Sequence, residues 1–198
     1  MISKYIENTH GPTHSFKLTI EYVYEARRLG EFQRYEPNMS FGNRKLLWHG
    51  TKRSNFQSIL ANGLSTQPPS TARIHGKMFG DGIYFTDVVT KAAGYCETSR
   101  SDPYGILILA EVALGKHYYL KSAKTVTDLK YGKKSVKGLG KYKPDRTETV
   151  RTEHHAHVPL GKLQFNNSIG TSLDYSEYIV YDDDQVYVEY LVLVKFHF

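Results

Sequence analysis

Tyr104-Gly105-Ile106-Leu107-Ile108-Leu109-Ala110-Glu111-Val112-Ala113-Leu114 is apolar nearly throughout, with one carboxylate set inside it. A run of this length and composition reads as a central strand, and the domain around it is therefore built on a sheet. Just upstream, Gly82 to Phe85 reads as a short strand, and Asp87 is placed to cap a helix through Val88, Ala92, Ala93 and Cys96. Further upstream, Lys45 to Trp48 is a short apolar strand that runs into His49-Gly50. Between these strands a Ser cap at 54, apolar Phe56, Ile59 and Leu60 at helical spacing, and Gly63 as a stop predict a short one-sided helix.

The two ends of the chain are strand-like as well. Phe16, Leu18, Ile20 and Tyr22 alternate with Lys17, Thr19 and Glu21, the two-residue period of a half-buried strand. Glu177 to Tyr181 and Val186 to Phe198 are β-rich runs separated by Asp182-Asp183-Asp184-Gln185, a turn composition. Asp145 to Leu173 is polar, rich in His and without clear period, which predicts a long loop. No repeat or linker divides the 198 residues. The expectation is one α+β domain over residues 1–198 with a predominantly antiparallel or split sheet.

Composition narrows the function. The 26 Lys and Arg exceed the 20 Asp and Glu, a net charge of +6, yet most are scattered as on any solvated surface. One stretch is different: Lys130 to Lys143 holds six Lys and no acid, broken by glycines, and reads as a flexible basic loop before a nucleic-acid patch. A single Cys excludes a disulfide framework, and the first residues lack a secretory pattern. The longest apolar runs, Ile106 to Ala110 and Tyr190 to Val194, are too short to cross a bilayer, so a soluble intracellular protein is expected. His154-His155-Ala156-His157 lacks the Cys or carboxylate partners of a metal site, and no metal is expected.

Three places set polar residues at strand ends, where sites are commonly built. They are Trp48-His49-Gly50-Thr51, Gly80-Asp81-Gly82-Ile83-Tyr84-Phe85 and Ser176-Glu177-Tyr178-Ile179-Val180. Taken singly, each is also an ordinary turn, a packing Tyr or an edge Glu. Together they resemble the catalytic domain of the poly(ADP-ribose) polymerases, the His-Tyr-Glu branch of the diphtheria-toxin-like ADP-ribosyltransferase fold. The likeness extends through Asn8-Thr9-His10 with His14, Phe32-Gln33-Arg34-Tyr35, Asn55-Phe56, Lys91, Tyr95-Cys96, Ser135 to Gly140 and Val158-Pro159-Leu160-Gly161. It is greater to the DNA-damage-responsive nuclear members than to the tankyrases or the mono-transferase members.

This resemblance implies two small antiparallel sheets forming a split core with short flanking helices, and a cleft at the split that binds NAD+ as co-substrate. It implies that the nicotinamide-ribose bond is broken and ADP-ribose passed to protein acceptors, the chain itself among them. By the same resemblance Gly50 and Thr51 hold the nicotinamide carboxamide, Thr51 standing where the family has Ser. His49 bonds ribose hydroxyls, Tyr84 and Tyr95 sandwich the nicotinamide ring, and Asn55 and Gly82 line the cleft. Lys91 supports the acceptor side, and Glu177 is the catalytic carboxylate, facing the positive charge that develops on the ribose. Glu at 177 implies elongation to poly(ADP-ribose); single-unit transfer, or an NAD-binding module with little turnover, are the other readings. Departures from the pattern at Ser65, Lys77 and Asp81, where relatives carry Arg, Tyr and Lys, imply an altered cleft rim. The resemblance also implies a monomer, open to nicotinamide-mimicking inhibitors and working in the nucleus. It further implies turnover without DNA, because the helical regulatory domain is not among these residues.

Overall fold

Tyr104–Ala113 forms a ten-residue strand, β4, in the computed structural model, which describes residues 1–67 and 77–198. It lies antiparallel between β2 (Arg44–Gly50) and β13 (Val186–His197). The sheet is completed by β1 (Lys17–Glu25), β8 (Val150–Arg151) and β9 (His157–Val158), in the order β1-β13-β4-β2-β9-β8. Its apolar run is continuous because both faces are covered. Leu107 and Leu109 pack with Trp48 and Val192 against Tyr5 of α1 (Ile2–Asn8) and Ala92 of α4 (Val89–Ala93). Ile108 and Ala110 face the other way, toward Phe85, Tyr178 and Val180 of a second sheet and toward Phe56 of α3 (Phe56–Asn62).

That second sheet has four strands in the order β3-β12-β6-β5: β3 (Ile83–Phe85), β12 (Glu177–Val180), β6 (Ser135–Gly138) and β5 (His117–Leu120). A third runs β10-β7-β11: β10 (Leu163–Phe165), β7 (Gly140–Pro144) and β11 (Leu173–Tyr175). The α+β class holds, but there are three sheets where two were expected, and β2 with β9, β5 with β6, and β7 with β11 pair in parallel. The difference comes from residues 130–173, read from sequence as a basic loop followed by a longer irregular one. They supply strands of two to five residues, too short and too rich in Gly and Lys to show a period, and held by partners far away in sequence. Gly138, for example, pairs with Glu177.

Smaller corrections have equally local causes. Tyr22 was expected inward with Phe16, Leu18 and Ile20, yet it is 60% exposed, because a register shift between Ile20 and Tyr22 breaks the alternation. Ser54 does not cap α3; it sits in a one-turn 3-10 helix over Arg53–Asn55 that leads into it, and Leu60 faces solvent. Asp87 does not cap α4 either, because its carboxylate accepts the Tyr178 hydroxyl at 2.7 Å. Two further helices, α1 and α2 (Glu31–Tyr35), are not among the sequence expectations. α2 accounts for the carboxylate within β4: Tyr35 donates to Glu111 at 2.6 Å and Arg44 pairs with it at 2.7 Å, so the buried charge is neutralised. Neighbouring Glu189 sits at a register shift in β13, and burial, then the charge of Glu111, pushes it up to about 8.

Cys96, on the 3-10 turn Gly94–Cys96 that follows α4, is buried with its thiol donating to the Ile106 carbonyl at 3.6 Å. Burial pushes its pKa up to about 12. Thiolate is the reactive form, so alkylation at pH 8 is expected to run on the order of a thousandfold more slowly in the native protein than in urea. Equal rates in a timed iodoacetamide reaction would contradict this packing.

Candidate active site

The cleft forms where the first two sheets part. Trp48 and Thr86 exchange backbone hydrogen bonds at 2.9 and 3.0 Å, joining β2 to the residue that follows β3, and the residues around this bridge line the cleft. Gly50 closes β2 against α4, and a Cβ placed there would lie 1.7 Å from the Ala92 carbonyl oxygen. Only glycine lets helix and strand approach this closely. Gly82 has the same role opposite, where a Cβ would meet Ile179 Cγ2 at 2.6 Å.

Each polar side chain is then fixed by a specific partner. His49 Nδ1 lies 2.8 Å from the Tyr84 carbonyl, which can only accept, so Nδ1 carries the proton and Nε2 keeps its lone pair. Burial lowers the ring's pKa and keeps it neutral. The Tyr84 hydroxyl donates to the Gly80 carbonyl at 2.8 Å and accepts the Phe79 N–H at 2.9 Å, which pins the ring. Burial, and more weakly the charge of Glu177, pushes its pKa up to about 12. Asn55 donates to the Thr51 hydroxyl oxygen at 2.8 Å, leaving the Thr51 proton free to donate onward. Tyr95, one turn beyond Lys91, is 41% exposed.

Glu177 opens β12 with its side chain 6% exposed. One oxygen pairs with the Lys91 ammonium from α4, and the other, Oε2, is buried without a partner. An uncompensated buried carboxylate oxygen is costly, and it stands on the wall of a cleft of about 530 Å³. His49, Gly50, Thr51, Asn55, Gly82, Tyr84, Lys91, Tyr95 and Glu177 all line that cleft, although they are spread over 129 positions of sequence. Ser65, Lys77 and Asp81 lie at its rim, where Lys77 and Asp81 pair with each other and so largely cancel their charges.

Other cleft residues escaped sequence reasoning. Ser58 and Asn62 on α3, and Thr86 after β3, line the wall but are polar residues in ordinary contexts, with no motif to single them out. Behind Glu177 a network also went unseen: Lys137 donates to the Tyr178 hydroxyl at 2.7 Å, and Tyr178 donates to Asp87. The alternation of β12 could have pointed to it, since the residue after a cleft-facing Glu must face the other way. The His154–His157 run lies apart from the cleft, with His157 paired to Lys45 between β9 and β2. Among the described residues no three His, Cys, Asp or Glu side chains gather as metal ligands.

Comparison with known proteins places the chain in a family. The family model described as the poly(ADP-ribose) polymerase catalytic domain matches residues 1–196. The chain is 46% identical over 199 residues to poly [ADP-ribose] polymerase 1 of Danio rerio, covering 100% of this chain and 19% of that protein. It is 48% identical over 199 residues to the Gallus gallus protein of the same name, covering 100% and 20%. For poly [ADP-ribose] polymerase 1 of Arabidopsis thaliana the identity is 43% over 198 residues, covering 99% and 20%. The chain thus spans about one-fifth of the length of the curated relatives it matches.

Proposed function

The chain belongs to the poly(ADP-ribose) polymerase catalytic-domain family, and from that premise we propose that it is an NAD+ ADP-ribosyltransferase that builds poly(ADP-ribose) on protein acceptors, itself included. The observation that carries the reading is the bare, buried Oε2 of Glu177 on the cleft wall. A fixed negative oxygen in a site shielded from water stabilises positive charge more strongly than any solvated group.

The residues present suit NAD+. Thr51, with its proton free, and the backbone of Gly50 offer the donors and acceptors that a carboxamide needs. The pinned ring of Tyr84 and the half-exposed ring of Tyr95 offer two aromatic faces for a flat pyridinium. His49 Nε2, an acceptor on a neutral ring, suits a ribose hydroxyl. NAD+ supplies a glycosidic bond whose cleavage leaves an oxocarbenium-like ribose and free nicotinamide. Glu177 stabilises that charge and accepts from the 2′-hydroxyl, while Lys91 holds the carboxylate in place. For elongation the same carboxylate polarises the hydroxyl of an incoming ADP-ribose, which is why Glu at 177 supports a polymer over a single unit. Action as a monomer belongs to the same reading, and the pocket suits nicotinamide-mimicking inhibitors. Work inside the cell, in the nucleus, belongs to the same reading.

The test is to incubate the purified chain with labelled NAD+ and no DNA, then run a denaturing gel beside a nicotinamide-release assay. A high-molecular-weight smear is the expected result. A discrete shifted band would mean mono-transfer, and bound NAD+ with no nicotinamide released would replace the enzyme with a binding module.

A further inference from the structure

Glu177 lies one residue past the end of a ladder. The pairing of β3 with β12 runs from Ile83↔Val180 to Phe85↔Tyr178, so the backbone of Glu177 is paired only on its other side, with Gly138 of β6. Lys91 reaches the carboxylate from α4, but an ammonium on a four-carbon stem is a point charge that follows its partner and sets no direction. Where the carboxylate stands therefore depends on what joins the start of β12 to the start of α4.

Two consecutive residues make that join. Thr86 Oγ1 donates to the Ser176 carbonyl at 2.9 Å and accepts the Val88 N–H at 3.2 Å. Ser176 precedes Glu177, and Val88 is the N-cap of α4, which carries Lys91. Asp87 accepts the Tyr178 hydroxyl at 2.7 Å, so both chain neighbours of Glu177 are gripped from the same place. Ser176 is held from its other side as well, its hydroxyl accepting the Gly140 N–H at 3.2 Å. Thr86, Asp87, Ser176 and Tyr178 are all buried, and water does not compete for these bonds. Thr86 lines the cleft wall, yet its one proton is given to the Ser176 carbonyl and it has none to offer a ligand. Its hydroxyl works on the backbone.

We propose that Thr86 is a positioning residue for the transfer reaction, its hydroxyl locking the strand that carries Glu177 to the helix that carries Lys91. This rests on the activity proposed above and deepens it. The bond closes a ring that runs from Glu177 through Ser176, Thr86 and Val88 to Lys91 and back to Glu177. Carboxylate and ammonium are thereby brought together by the backbone and not by attraction alone. A preorganised charge lowers the barrier only while it stays where the positive charge develops, and a catalytic group must be held to within about 0.5 Å of its productive place. A second buried hydroxyl provides the contrast. Thr9 Oγ1 accepts the next amide of the same helix, Val89, at 3.2 Å and donates to the Tyr5 carbonyl at 2.7 Å. It steadies α4 through α1, by bonds that do not involve β12.

The test compares Thr86→Val, which keeps the branched shape and removes the hydroxyl, with Thr86→Ser, which restores the hydroxyl, and with Thr9→Val. For each, nicotinamide release is measured against NAD+ concentration well below the melting temperature, beside benzamide titration and a thermal scan. Thr86→Val is expected to lower kcat by about 10–10²-fold, the loss that a small misplacement of a reacting group produces. KM and benzamide affinity are expected to stay within about twofold, since the groups assigned to binding are untouched. Thr86→Ser is expected to recover most of kcat, and Thr9→Val to keep it while losing Tm. Four results would each overturn the proposal: kcat unchanged in Thr86→Val whatever its Tm, Thr86→Ser as slow as Thr86→Val, Thr9→Val losing as much turnover as Thr86→Val, or benzamide binding lost in step with kcat. Amide hydrogen exchange at Val88, followed by NMR, keeps the two readings apart. Exchange is expected to be faster in Thr86→Val and normal in Thr86→Ser. Unaltered exchange in Thr86→Val sinks the lock alone, and an unmodified chain that releases no nicotinamide sinks the activity, and with it the role of Thr86.

Discussion

Glu177→Gln is expected to release nicotinamide from NAD+ on the order of 10²–10³-fold more slowly and to yield no polymer, the scale seen when one preorganised electrostatic group is removed from an active site. Gln preserves the shape of the side chain and can still face Lys91, so the cleft should survive. What disappears is the negative charge at Oε2, the atom the fold leaves buried and bare. NAD+ binding, which the proposal assigns to His49, Thr51 and the tyrosine rings, should change far less than turnover. A polymer yield on a labelled gel equal to that of the unmodified chain would remove Glu177 from the chemistry, and loss of NAD+ binding in parallel with turnover would make it a binding residue.

Gly50→Ala should have the largest effect on the folded state. The added methyl carbon would lie 1.7 Å from the Ala92 carbonyl oxygen and 2.5 Å from its carbon, and both are backbone atoms that no rotamer change can move aside. The overlap is relieved only if α4 withdraws from β2, carrying Lys91 away from Glu177 and Tyr95 away from Tyr84. Overpacking of this kind costs about 1–3 kcal/mol, and a chain of this size loses about 2–4 °C of Tm per kcal/mol. A fall of several degrees in a thermal scan is expected, together with loss of benzamide binding in a titration. A variant that melts normally and still binds benzamide would mean that the helix does not depend on this contact.

The sequence carried the long strands and the cleft-lining positions much further than it carried the small sheets. β4 and β13 were legible because ten to twelve residues give hydrophobic pattern room to repeat. The strands between Ser135 and Tyr175 were not, because a two-residue element such as His157–Val158 has no period and exists only through its pairing with Lys45 and Val150. The cleft was legible in a different way. His49, Tyr84 and Glu177 are each unremarkable in context, and only their joint likeness to a family singled them out; in the structure all three line one cleft. Lys137 shows the limit of composition. Counted among six lysines it read as part of a solvated loop, whereas its ammonium is held against Tyr178 behind the site. Asp87 was read as a cap because Asp before a helix usually is one; here a nearby tyrosine hydroxyl competes for the carboxylate and takes it.

The place of β13 bears on how the molecule is made. It follows every other described strand in sequence, yet it is interior to the six-stranded sheet, pairing with β1 over Lys17↔His197 to Glu25↔Tyr190 and with β4 over Val186↔Val112 to Lys195↔Tyr104. During synthesis β1 precedes its only pairing partner among the described residues, and some 160 further residues must follow before it has a strand to lie against. Once β4 has been made, the half-sheet of β4 and β2 likewise presents an open apolar edge until β13 follows. Closure of this sheet therefore waits for β13, which joins β1 to the β4–β2 half in one step.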